Sequence, residues 1–261
     1  MLAALTVIVA AVYARGFRGL RLALPAWRMA AFFAGLAAVL AALASPIDAL
    51  ANELFSVHMV QHMLLMVVAA PLLQLGAPVR PLLLGLPLAL RRLFVRPVAG
   101  ARSVQWAFHG LRLPLVAAAL YVGGLYVWHI PRIYDAAVEN TALHLAEHLW
   151  FLTTALLFWS VVIDPVPARA TLPYAARIPF LLVVGAAQNT ILGGLLAFST
   201  RLFYVHYTGR SAAYGIESLT DQRLGGAIMW VPGDLIFLAA ASLAFFHWIA
   251  AEEKAQRLKE S

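Results

Sequence analysis

The chain has 261 residues, 63% of them hydrophobic and only 12% charged, with a mean hydropathy of +0.83. A soluble domain carries about twice that charged fraction, so the composition indicates an all-α, polytopic membrane helix bundle whose spans satisfy their own backbone hydrogen bonds. The net charge of +7 comes from arginines gathered in particular loops, which reads as membrane topology and not as nucleic-acid binding, and the lack of cysteine excludes disulfides, CxxC motifs, iron–sulfur ligation and covalent haem attachment.

Seven apolar segments follow in order: residues 2–14, 29–44, 57–75, 113–128, 142–163, 178–198 and 226–250. The first has no basic residues ahead of it and no obvious small-residue cleavage site, so it reads as a span and not as a secretory signal. It is short for a hydrocarbon core of ~30 Å. The loops alternate in charge. Arg15, Arg18, Arg21 and Arg28 fill the first, Asp48 and Glu53 the second, and Arg80, Arg91, Arg92, Arg96, Arg102 and Arg112 the third, while the fourth sets Arg132 against Asp135 and Glu139. By the positive-inside rule the first and third loops are cytoplasmic, which predicts an outer N-terminus and a cytoplasmic C-terminus after seven spans. Residues 81–97, apolar but broken by proline and ending in arginine, read as an interfacial amphipathic segment. No repeat or linker divides the chain, so residues 1–261 are expected to form a single integral membrane domain.

Chemistry concentrates in the third and fifth segments. SVHMVQHM places His58 and His62 four apart, which stacks both imidazoles on one helix face. ALHLAEHLWF repeats the spacing with His144 and His148. In the predicted topology both segments enter from outside, so two HxxxH pairs lie at one membrane depth and offer four nitrogens to one ion or to two neighbouring ions. A single interfacial histidine is ordinarily a packed residue, but ionisable groups within spans are costly and mark function. Imidazole with the thioethers of Met59, Met63 and Met66 suits copper better than magnesium or calcium, although methionine at helical spacing ordinarily fills a core. His129 closes the fourth span on the same side, with Trp128 and Tyr134 beside it as interfacial aromatics. His206 is expected to be exposed in an outer loop, and His109 and His247 fall on the cytoplasmic side. Asp221 precedes the last span as a further ligand, a carboxylate orienting an imidazole, or a helix N-cap. Asp234 lies within that span and needs a partner or a proton role. Gln188, Asn189 and Thr190 read as interhelical hydrogen-bonding residues.

HMVQHMLLMVVAAPLLQLGAP, then WHIPRIYDAAVEN with LHLAEHLWFLTTALLFW, and finally DQRLGGAIMWVPG resemble, in order, the signatures of the CtaG family of cytochrome c oxidase assembly factors. The similarity runs from about residue 45 to residue 248. It is to the multi-span, cysteine-free type and not to the single-span copper chaperones that share the name. The resemblance implies a multi-pass protein of the bacterial plasma membrane that takes part in maturing the haem–copper oxidase. It also implies a copper-handling role for His58, His62, His144 and His148, with Asp221 as a possible helper and an oxidase subunit as the copper recipient.

Three other readings compete. Histidines on facing helices can be the axial ligands of a b-type haem, but bis-histidine ligation leaves two of the four unused. His144-Leu-Ala-Glu147-His148 spells the HxxEH metalloprotease motif, with Glu217 or Asp221 as third ligand, and leaves His58 and His62 unused. A copper permease needs ligands continuing inward, where the sequence offers only Gln74, His109 and His247.

Overall fold

The computed structural model describes residues 2–20, 24–164 and 169–260; Arg21, counted above in the first loop, lies outside them. Every regular element among the described residues is helical, and none of them is a strand. In chain order the main helices are α1 (Leu2–Arg18), α2 (Ala26–Leu43), α3 (Pro46–Ala51), α4 (Phe55–Leu75), α5 (Val79–Gly85), α6 (Arg102–Leu111), α7 (Pro114–Trp128), α8 (Pro131–Glu139), α9 (Thr141–Val162), α10 (Tyr174–Ala197) and α11 (Ser218–Glu260).

Five of these, α2, α4, α9, α10 and α11, are long and apolar enough to cross a membrane, and a sixth span exists if α6 and α7 count as one. The seven-segment expectation differs at two places. Helix α1 has 17 residues, about 26 Å at 1.5 Å per residue and the lower end of the usual spanning length. Helix α7 is cut to 15 residues because Pro114 cannot continue the preceding helix, and α6 leaves it at 67°. Residues 81–97 form only short helical pieces, with Leu83, Leu84, Leu88, Leu90, Leu93 and Phe94 exposed among the arginines.

Helices α4 and α9 are the centre of the bundle: 56% of an 18-residue apolar stretch of each is buried, against 22% of the stretch in α2 and 28% of that in α11. One apolar cluster joins α4 and α9 to α7, α10 and α11 through Met59, Met66, Tyr121, Phe151, Phe158, Leu181 and Phe237, and a second joins α4 to α1 and α2 through Tyr13, Phe17, Phe32, Leu65 and Leu73. Helices α10 and α11 touch backbone to backbone. A Cβ on Gly226 would stand 2.6 Å from Gly193 O, so neither position admits a larger residue without parting the helices.

Helix α4 contains a widened turn over Leu64–Ala69, where Ala70 N–H reaches back five residues to Leu65 O. The next bond in that register would run from residue 71 to Met66 O, and Pro71 has no N–H to give. Trp159 Nε1–H of α9 donates to Met66 O instead, at 2.9 Å. The irregularity in α4 is thereby satisfied by its neighbour and locks the two helices in register.

Both ends of α4 are closed by side chains from other helices. At the N-terminus Asp221 of α11 accepts from Phe55 N–H at 2.6 Å through one oxygen, and from Ser56 N–H and Ser56 Oγ–H through the other. At the C-terminus Arg28 donates to Leu75 O at 3.0 Å and Tyr13 Oη–H to Gly76 O at 2.7 Å. An anion at the N-terminus and a cation at the C-terminus both complement the helix dipole.

Candidate metal centre

Helices α4 and α9 begin at the same end of the bundle, so their first two turns lie side by side. The two HxxxH faces point at each other. Ring centroids of His58 and His144 are 5.1 Å apart, those of His62 and His148 5.5 Å, and those of His58 and His148 6.3 Å. Within the pairs the separations are 4.3 Å for His58 and His62 and 4.2 Å for His144 and His148. One nitrogen each from His58, His144 and His148 falls within 4.8 Å of the others, and so do donor atoms of His58, His62 and Glu147. Each group offers three donors converging on one small volume, and His58 belongs to both.

Local sequence accounts for the arrangement. Asn140 caps α9 by accepting from Ala142 and Leu143 N–H, so His144, Glu147 and His148 share one face of its first turns. Gln61 of α4 is fully buried and donates to Ala42 O at 2.9 Å and to Asp48 Oδ1 at 2.8 Å. That anchor, about a quarter turn around α4 from the histidine pair, fixes the rotation of the helix with its histidines toward α9.

Hydrogen bonding sets which nitrogens are available. Tyr207 Oη–H donates to Ala51 O at 2.9 Å, so its oxygen accepts from His58 Nδ1–H at 3.0 Å and from Tyr134 Oη–H at 3.1 Å. His58 therefore presents its Nε2 lone pair to the cluster, 2.9 Å from His62 Nε2. His129 donates from Nδ1 to Leu125 O at 2.7 Å and directs Nε2 inward, its ring 6.3 Å from that of His62. Beyond these bonds the site is short of partners. His62 Nδ1, the Nε2 atoms of His129, His144 and His148, and both Glu147 oxygens are enclosed without a hydrogen bond, and Glu147 Oε1 comes only within 3.8 Å of His62 Nε2. Buried polar atoms are ordinarily paired, and a set of enclosed lone pairs is what a cation would satisfy. Outside the helices, burial pushes the Tyr204 and Tyr207 hydroxyls well up from the usual tyrosine value, so both stay protonated donors.

The other residues singled out in the sequence take several positions. Asp221 is fully buried, but both its oxygens are engaged at the α4 N-terminus and it joins neither donor group. It is an N-cap, though for α4 and not for its own helix. Met59 and Met63 face α11: a Cβ on Gly225 would stand 3.1 Å from Met59 Cγ, and one on Gly233 2.8 Å from Met63 Cε. Met66 lies in the apolar core. Tyr134, expected as an interfacial aromatic, is fully buried against His58, their rings 5.2 Å apart. The His206 side chain, expected to be exposed, is only 8% accessible, between Glu139 and Asn52 O. His109, His247 and Glu217 are exposed. Asp234 accepts from Thr190 Oγ1–H, the partner its position required. Sequence reasoning missed Tyr207 and Gln61, neither of which lies in a recognisable motif.

The chain matches the family described as cytochrome c oxidase caa3 assembly factor (Caa3_CtaG) over residues 11–251. It is similar to uncharacterized proteins of Mycobacterium bovis and Mycobacterium tuberculosis, each 31% identical over 244 residues that make up 88% of this chain and 36% of theirs. An uncharacterized protein of Mycobacterium leprae is 27% identical over 268 residues, 97% of this chain and 39% of its own. The chain thus spans a little over a third of the length of these relatives. No solved structure matches it.

Proposed function

The chain belongs to the Caa3_CtaG family of cytochrome c oxidase assembly factors, and on that premise we propose that it binds copper at the α4–α9 histidine cluster and passes it to a subunit of the haem–copper oxidase. Copper is the cargo here, held by His58, His62, His144 and His148, with Glu147 and His129 at the edge of the same volume. The observation that carries the reading is the set of converging imidazole nitrogens and carboxylate oxygens enclosed without partners. Imidazole is a good copper ligand, and one carboxylate offsets the charge of an ion taken out of water. Tyr207 and Leu125 O hold the two imidazoles they touch in the tautomer that faces the cluster. In this reading the cluster end of the bundle faces outward across the bacterial plasma membrane, the arginine-rich end faces the cytoplasm, and copper arrives and leaves on the outer side by ligand exchange.

The close packing of the cluster favours an ion over a haem. The rings of Tyr134 and Phe151 lie 5.2 Å from His58 and 4.7 Å from His62, where a macrocycle would need open space. The HxxEH protease reading leaves His58 and His62 idle, yet they share donor groups with His144, His148 and Glu147. The test is a strain lacking the protein, complemented with the wild-type chain or with H58A/H144A. The oxidase purified from the wild-type complement should contain its full copper. Oxidase from the H58A/H144A complement should be copper-deficient, and a full complement of copper there would refute the handover.

A further inference from the structure

The end of the bundle opposite the histidines carries a second built feature. Helix α4 has 21 residues and rises about 31 Å, so α5 and residues 88–100 beyond it lie a membrane's thickness from the cluster. There Leu83, Leu88, Arg91, Arg92, Val95 and Arg96 line a cavity of about 370 Å³. Three guanidiniums stand beside apolar walls. Among the described residues no carboxylate pairs with Arg91, Arg92 or Arg96, and Arg91 Nε is enclosed without an acceptor. The sequence supplies no acidic residue anywhere between residues 54 and 134, so no sequence neighbour neutralises these arginines and an external anion has an open place.

We propose that this cavity binds an anionic phospholipid, with its phosphate on Arg91, Arg92 and Arg96 and its acyl chains along Leu83, Leu88 and Val95. Guanidinium matches phosphate oxygens in geometry as well as charge. Basic residues beside a membrane span attract anionic headgroups, and the exposed Leu90, Leu93 and Phe94 nearby belong in acyl chains and not in water. A zwitterionic lipid neutralises its own phosphate and gains less. A free phosphate makes no use of the apolar walls.

The full chain in mild detergent, mixed with equal phosphatidylglycerol and phosphatidylcholine and read by native mass spectrometry, tests the proposal. The wild type should retain phosphatidylglycerol over phosphatidylcholine by at least about tenfold, and equimolar inorganic phosphate should not displace it. R92Q/R96Q changes two exposed arginines and should bring the two lipids to parity. H58A/H144A should keep the preference, so this result stands apart from the copper reading. Equal retention by the wild type, an unchanged preference in R92Q/R96Q, or displacement by inorganic phosphate or by an acidic peptide would each overturn it. If the double variant does not fold, the wild-type comparison decides alone.

Discussion

His58 shows how much a single residue's role depends on partners far away in the chain. Its spacing from His62 puts both on one helix face, and that much is legible from four letters of sequence. Which nitrogen it presents is decided by Tyr207, 149 residues distant, whose hydroxyl is committed to Ala51 O. Tyr207 sits in a short turn, Val205–Tyr207, without periodicity or motif, so nothing local in the sequence marks it. Replacing Tyr207 by Phe removes the acceptor for His58 Nδ1–H while keeping the ring that packs on Phe55. Copper affinity should fall by about tenfold, measured by competition with a chromogenic chelator, with the helical circular dichroism unchanged. Unaltered affinity would mean that the tautomer of His58 is held some other way. Asp221 makes the same point in reverse. Its sequence position allowed ligand, orienting carboxylate or cap, and only the approach of α11 to the start of α4 selects the cap.

At the scale of elements, the histidine helix is defined by its ends and its one irregular turn. Phe55 and Ser56 N–H are tied to Asp221, Leu75 and Gly76 carbonyls to Arg28 and Tyr13, and Met66 O to Trp159. Hydropathy locates such a helix well because its length and apolar character are local. It does not reveal the caps, which are long-range. Asp221→Asn should lower stability by about 2 kcal/mol, the worth of a buried charged acceptor on helix N–H groups, read as a fall in unfolding midpoint in detergent. A wild-type midpoint would remove Asp221 from the account of how α4 is placed.

The turn between α9 and α10 has its own ionic clasp. Burial works to raise the Asp164 carboxyl, but Ala170 N–H at 2.9 Å and the Arg177 guanidinium at 3.1 Å hold it below the usual carboxylate value. A depressed carboxylate stabilises the fold above its unfolded pKa of about 3.9, and that contribution is lost as pH falls through the lower folded value. Asp164→Asn should lower the neutral plateau of a stability profile and flatten its acid limb below about pH 5, so that variant and wild type converge in acid. An acid limb as steep as that of the wild type would place the acid sensitivity elsewhere.

For the molecule as a whole, the sequence carried the class, the central helices and the pairing of the two HxxxH motifs. The number of crossings is seven by the hydropathy pattern and five or six by helix length and apolar character; the counts part at α1, with 17 residues, and at α7, which Pro114 separates from α6. The bundle is polarised: histidines, glutamate and buried tyrosines lie at one end, and at the other Arg91, Arg92 and Arg96, which have no acidic partner among the described residues. That polarity follows from α4 and α9 starting at the same end, and it separates the proposed copper site from the proposed lipid site by the length of the bundle. The most direct measurement of the central claim is the copper content, by elemental mass spectrometry, of wild-type and H58A/H144A protein loaded with copper and desalted in parallel. Stoichiometric copper in the wild type and none in the folded double variant is the predicted result, and equal copper in the two would contradict the histidine cluster as the site.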